Sequence, residues 1–324
     1  MTLDEQLTKY LTDAHSIEEQ AIPQMRAAPR LASDPELERI FREHEQETES
    51  HERMVRERLE ARDAAPSKLK DAVARATAYP FVLFARSQPD TTGKLVAHAY
   101  SYEALELAAY ELLARVAERA GDEASAQLAR TIGAQESAMR DRLAANFDRA
   151  VEAAIREKDL DDDALGDHIV KYLTDAHAIE SQAVQLLERG PKIAGDPELA
   201  RAYDDHLGET REQQRRVAER LDALGGSPSR LKDAAMRLGA LNWGGFFQAQ
   251  PDTPAKLAGF AFAFEHLEIA AYEELRRVAE RADDSATASL AAAIADEERA
   301  AAERLAGLFD RAVEASLEAK GVTA

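Results

Sequence analysis

The sequence predicts an all-α protein made of two tandem four-helix bundles. Three features carry that expectation. The chain repeats itself along its whole length, apolar residues recur at three- and four-residue spacing in both copies, and the connections alternate between short and long.

The repeat is read directly. KYLTDAHSIEEQA from Lys9 returns as KYLTDAHAIESQA from Lys171, and DPEL from Asp34 returns from Asp196. PSKLKDA from Pro66 matches PSRLKDA from Pro228, and RVAERA from Arg115 recurs from Arg277. Every pair is offset by 162 positions without a gap, and roughly half the positions are identical. Solenoid repeats have periods of roughly 20–50 residues, so each copy here is a whole domain. The expected domains are 1–158 and 163–324, joined by the acidic stretch from Lys158 to Asp163.

Within the first copy, Leu3, Leu7, Tyr10, Leu11, Ala14, Ile17, Ala21, Ile22 and Met25 form one amphipathic stripe, ending near Ala28. Asp34-Pro35-Glu36 supplies an N-cap, a proline at the first helical position and a first-turn acid. The second helix follows with Leu37, Ile40, Phe41, Val55 and Leu59. A third starts after Asp90 and runs through Leu95, Ala99, Tyr102, Tyr110, Leu113 and Val116. A fourth, capped near Asp122, carries Leu128, Ile132, Met139, Leu143, Phe147 and Val151. The YPFVLF run from Tyr79 is expected to be a hydrophobic plug in a connection. Trp243, Phe246 and Phe247, with Phe81 and Phe84, are expected to cover the bundles or join the domains.

Connection lengths set the topology. Helices one and two are separated by about six residues and helices three and four by two or three, so both pairs form antiparallel hairpins. Between helices two and three lie about 27 residues, Ala64 to Asp90, enough to cross the bundle lengthwise. Two hairpins with one long helix 2–helix 3 crossover is the ferritin-like connectivity.

Composition narrows the function. The chain of 324 residues has 61 acidic and 41 basic side chains, a net charge of -20, 45% hydrophobic residues and no cysteine. The charge argues against nucleic acid or anionic lipid as a partner. The absence of cysteine removes disulfides, Fe–S clusters, thiol catalysis and thiolate zinc sites, and fits a reducing compartment. No apolar run approaches the ~18 residues of a membrane span. The opening residues have neither the basic nor the apolar region of a secretory signal, so the expected location is the cytoplasm.

Charged residues then appear where the stripes call for leucine. Glu18 lies among Ala14, Ile17, Ala21 and Ile22, and His44, Glu47 or Thr48, and His51 continue the stripe from Phe41 toward Val55. Glu103 and Glu106 hold core spacing on helix three, and Glu136 does so on helix four. Counting from the hairpin turns brings these groups to one layer near mid-bundle. The second copy keeps the set as Glu180, His206, Glu209, Glu265, Glu268 and Glu298. Buried carboxylates are costly unless paired or bound to a cation. Oxygen donors with one or two imidazoles suit iron or manganese, and carboxylates can bridge two such ions.

At these residues a family resemblance is clear. YLTDAHSIEEQ, DPELERIFREHEQET and YEALELAAYELLARVAERAG, with EHLEIAAYEELRRVAERA in the second copy, resemble the YciE/YciF stress-protein family, domain of unknown function 892. The resemblance covers nearly all of each copy. It implies a ferritin-like bundle, a dinuclear metal centre and a link to stress response, with no established reaction. It also implies that the tandem is an intramolecular pseudo-dimer, open to further homo-oligomerisation. The general di-iron signature is Glu-x-x-His, and here the order is reversed: His15-x-x-Glu18 and His44-x-x-Glu47, with His177-x-x-Glu180 and His206-x-x-Glu209.

The reading is a cytoplasmic stress-type metalloprotein. Glu18, Glu47, Glu103, Glu106, Glu136 and their second-copy equivalents supply oxygens, His44 and His206 supply nitrogen, and iron or peroxide redox chemistry is within its range. The competing reading is a metal-free bundle, a scaffold or protein-interaction module in which the same carboxylates form a paired polar layer. His51 is a weaker ligand candidate because Gln213 replaces it, and His266 likewise because it faces Ala104. His15 and His177 are expected to orient a neighbouring carboxylate or cap the hairpin interface.

Overall fold

Thr2 and Glu5 close the first helix with a reciprocal capping box, the Glu5 N–H donating to Thr2 at 3.1 Å and the Thr2 N–H to Glu5 at 2.8 Å. A computed structural model of the chain describes residues 2–72, 74, 91–158, 162–228 and 253–322. The YPFVLF run, Trp243, Phe246, Phe247 and most of the Lys158–Asp163 joint lie outside the described residues. Packing divides the chain into two compact units, Met1–Asp159 with Val322–Ala324 and Leu160–Gly321. Among the described residues all regular structure is helical.

The first unit contains α1 (Leu3–Leu31), α2 (Pro35–Glu60), α3 (Thr91–Arg119), α4 (Glu123–Ala144) and α5 (Phe147–Lys158). Asp34 caps α2, accepting from the Glu36 and Leu37 N–H groups at 3.0 and 3.2 Å. Asp122 caps α4, accepting from Ser125 N–H at 3.0 Å. These are the caps that the sequence predicts, and they start the helices where the apolar stripes begin.

The fourth helix does not run unbroken through Val151. It stops at Ala145, where the Asn146 amide donates to the Arg142 carbonyl at 2.7 Å and occupies one of the helix's terminal acceptors. The chain resumes as α5, which packs on α3 and buries Phe147, Ala150 and Val151.

Hydrogen bonds between helices give their directions. Ser33 meets Thr92, Gln24 meets His98 and Gln20 meets Tyr102, so α1 and α3 are antiparallel. Arg58 meets Asp122, His51 meets Gln135 and Glu47 meets Arg142, so α2 and α4 are antiparallel as well. Since α1 and α2 form a hairpin, α2 and α3 must run parallel. The end of α2 and the start of α3 therefore stand the full length of α2 apart, about 39 Å for its 26 residues. That is the separation the expected long crossover has to span.

The second unit repeats the plan with α6 (Asp162–Leu187), α7 (Gly190–Ile193), α8 (Pro197–Ala223), α9 (Thr253–Arg281), α10 (Ser285–Ala306) and α11 (Phe309–Glu318). Its first helix is broken where α1 is continuous. Gly190 replaces Ala28 there, and a Cβ at that position would stand 2.9 Å from the Tyr203 ring. The Tyr203 ring takes the space of a side chain there, and the glycine that admits it weakens the helix.

Candidate metal centre

Each bundle carries a carboxylate layer in its interior. In the first unit Glu18 comes from α1, His44 and His51 from α2, Glu103 and Glu106 from α3, and Glu136 from α4. All six are buried, none more than 1% exposed. In the second, Glu180, His206, Glu265, Glu268 and Glu298 are buried in the same way. The i, i+3 spacing of Glu103 and Glu106 puts both on one face of α3, and the stripe that buries Tyr110 and Leu113 buries them too.

In the first unit the donor atoms of the layer form two groups, each with its atoms within 4.8 Å of one another, and a third group, His15, Glu19 and Glu52, shares no residue with the layer. One is His44, Glu103, Glu106 and Glu136; the other is Glu18, His51 and Glu136. Glu136 belongs to both. His44 Nε2 lies 3.0 Å from Glu103 and 3.6 Å from Glu136. His51 Nδ1 lies 2.7 Å from Glu136 and 3.9 Å from Glu18. In the second unit His206, Glu265 and Glu298 form one group, with His206 Nε2 at 2.8 Å from Glu265 and 3.6 Å from Glu298.

The far nitrogen of each imidazole is tied down. His44 Nδ1 is held at 2.9 Å by Glu47, His206 Nδ1 at 3.0 Å by Glu209, and His51 Nε2 at 2.9 Å by Gln135. A carboxylate or amide on one nitrogen fixes the ring and turns the other toward the layer, as the outer partners of metal-bound histidines do. Glu47 and Glu209 therefore stand behind the imidazoles, partly exposed and also paired with Arg142 and Arg304. The structure does not bring these two of the sequence's ligand candidates into the layer. On α2 and α8 the reversed His-x-x-Glu motif encodes an imidazole and its own support.

His15 does not follow that rule. It points away from Glu18 and sits between Glu52 at 2.9 Å and Asp71 at 3.3 Å. Two tyrosines that helical spacing assigns to the core also serve the layer. Tyr110 donates to Glu18 and Tyr272 to Glu180 across the bundle. Their spacing shows only burial; the partner lies on another helix.

The electrostatics follow from burial. Desolvation, reinforced by Glu136, pushes Glu18 up to about 8, against the opposing influence of His51 and Tyr110. Desolvation likewise pushes Glu180 up to about 8 and drives Glu106, Glu268 and Glu298 well above the usual carboxylate range. Burial works against charge on His206 as well, but Glu265, Glu209 and Glu298 outweigh it and push the imidazole up to about 11. Glu47, bonded to His44, is held down at about 2.

The layer fits a cation. Glu18 Oε2, both oxygens of Glu103 and Glu136, and both oxygens of Glu268 and Glu298 are buried without a hydrogen-bond partner. An imidazole nitrogen stands close to two of them, His44 Nε2 at 3.0 Å from Glu103 and His51 Nδ1 at 2.7 Å from Glu136, and the remaining oxygens have none so near. Unsatisfied buried polar atoms are rare in folded proteins, and here they converge from four helices on one region. The donors are hard oxygen with imidazole nitrogen, the set that suits iron or manganese.

A family model described as a domain of unknown function, DUF892, matches residues 2–156 and again 164–318. A crystal structure of a protein from Xanthomonas campestris pv. campestris is similar at 30% sequence identity. It covers 49% of this chain and 99% of its own, with a TM-score of 0.41.

Proposed function

The chain belongs to the DUF892 family, as two tandem copies, and from that premise we propose that it is a ferritin-like metalloprotein whose bundles each hold an iron or manganese centre. The observation that carries this reading is the convergence, at the middle of each bundle, of buried carboxylate oxygens that make no hydrogen bond. Glu18, His44, Glu103, Glu106 and Glu136 would hold the metal in the first copy, and Glu180, His206, Glu265, Glu268 and Glu298 in the second. Glu47 and Glu209 orient the imidazoles. When bound, iron or manganese in such a site supplies one-electron chemistry toward peroxide or oxygen. Tyr110 and Tyr272 steady one carboxylate each, and the apolar helix faces around the layer limit access of water. The resemblance to stress proteins supports a stress-response role, and the absence of cysteine supports a reducing, cytoplasmic setting.

The competing scaffold reading has the carboxylates paired within the protein, and the oxygens that make no hydrogen bond weigh against it. Metal analysis of protein purified without added metal, followed by anaerobic loading with Fe(II) and Mn(II), decides between them. Retention of at least one of the two ions in the dialysed protein supports the metalloprotein, and retention of neither overturns it.

A further inference from the structure

The two centres differ at one donor. In the first copy His51 occupies the layer, its Nε2 held by Gln135 and its Nδ1 facing Glu136 and Glu18. In the second copy Gln213 stands in its place and Glu297 replaces Gln135. The Gln213 amide donates to Glu297 at 3.0 Å, and Glu297 is also paired with Arg216, which replaces Met54. The exchange is concerted: an imidazole supported by an amide becomes an amide supported by a carboxylate and a guanidinium. A neutral amide is a weaker ligand than imidazole for these metals; the Gln213 nitrogen is tied outward to Glu297, which leaves its buried oxygen as the one donor it could offer the layer.

A second observation falls on the same side. A cleft of about 430 Å³ opens between α2 and α4 of the first copy and reaches His51, lined by Glu43, Glu47, Ser50, Met54 and Gln135 among others. At the corresponding place in the second copy, the Arg216–Glu297 ion pair spans α8 and α10.

Resting on the metal-binding reading, we propose that the copies differ in nuclearity. The first takes two divalent cations, one among His44, Glu103, Glu106 and Glu136 and one among Glu18, His51 and Glu136, with Glu136 shared. The second holds tightly only the cation of its His206, Glu265 and Glu298 group. The two overlapping donor groups of the first copy, against the single group of the second, carry this inference. The cleft gives a hydrated cation a path to the His51 side. The tandem thus pairs a two-metal centre with a one-metal centre.

Equilibrium dialysis of the full chain against Mn(II), with electron paramagnetic resonance of the bound ion, tests this. The expected result is two tight cations in the first copy and one in the second, with the signature of a coupled Mn pair. His51→Gln is expected to weaken one cation by about tenfold or more and abolish the pair signal. The double variant Gln213→His with Glu297→Gln is expected to add one tight cation and a second pair. Circular dichroism melting of each variant separates lost binding from lost fold. Equal occupancy of both copies in the parent chain, or a pair signal that survives His51→Gln in a folded protein, overturns the inference and leaves the metalloprotein reading standing. No bound Mn(II) or Fe(II) in the parent chain overturns both.

Discussion

Glu47 holds His44 from behind: its carboxylate lies 2.9 Å from Nδ1, while Nε2 of the same ring faces Glu103 at 3.0 Å inside the bundle. One ring thus joins a partly exposed acid to a buried one. Glu47→Ala is expected to weaken metal binding by roughly 10–100-fold at unchanged stoichiometry, the usual effect of losing an outer partner of a ligand. Glu136→Ala, by contrast, should remove cations from the first copy outright. Mn(II) dialysis isotherms distinguish the two outcomes, and equal stoichiometric loss in both variants would place Glu47 among the ligands.

Tyr110 gives the second prediction. Its hydroxyl donates to Glu18 and favours the ionised carboxylate, opposing the burial and the Glu136 charge that still leave Glu18 at about 8. Tyr110→Phe removes the donor, so Glu18 holds its proton to higher pH and the cation competes with it less well. The pH midpoint of Mn(II) uptake by the first copy should move to more alkaline values, with uptake by the second copy unchanged. A midpoint that stays in place would mean that Glu18 does not exchange its proton for metal.

The metal-free protein should depend on pH in a defined direction. Glu18 and Glu180 have folded values of about 8 against an ordinary 4.5, so folding favours their protonated forms. Their contribution is complete below 4.5 and is lost as pH rises through about 8. His44 and His206, also raised in the fold, change in the same sense. The melting temperature of the metal-free chain should therefore fall between these limits. Bound cation replaces the protons, so the loaded chain should lack that decline. Melting curves with and without Mn(II) across the range test this, and parallel profiles would contradict it.

Asp122 separates fold from site. It caps α4 at Ser125, binds Arg58 through both oxygens at 2.6 Å and also meets Arg62, far from the carboxylate layer. Asp122→Ala should cost roughly 2 kcal/mol, from the cap and the charge-assisted bonds together, with Mn(II) stoichiometry unchanged. The midpoint of urea unfolding measures the first and dialysis the second.

Much of the molecule is legible in one dimension. The duplication needs only self-comparison, and Asp34, Asp122 and their repeats declare helix starts because capping is a local interaction. The core carboxylates are visible because Glu18, Glu106 and Glu136 fall at spacings that only a buried helix face explains. The break at Asn146 is less visible, because the helix ends there, and at Leu308 in the second copy, without disturbing its apolar period.

The number of domains, the helical class, the lengthwise crossover and the buried rank of acids in each copy are all written in the order of the residues. They follow from periodicity, connection length and repetition, which need no third dimension. Packing was required to show that Glu47 stands outside the layer while His51 stands inside it, that Tyr110 serves Glu18, and that Gln213 bonds Glu297 where His51 bonds Gln135. Spacing along a helix says which face a residue shares, but a donor's role depends on which atom of which neighbouring helix it meets, and the packed bundle alone sets that.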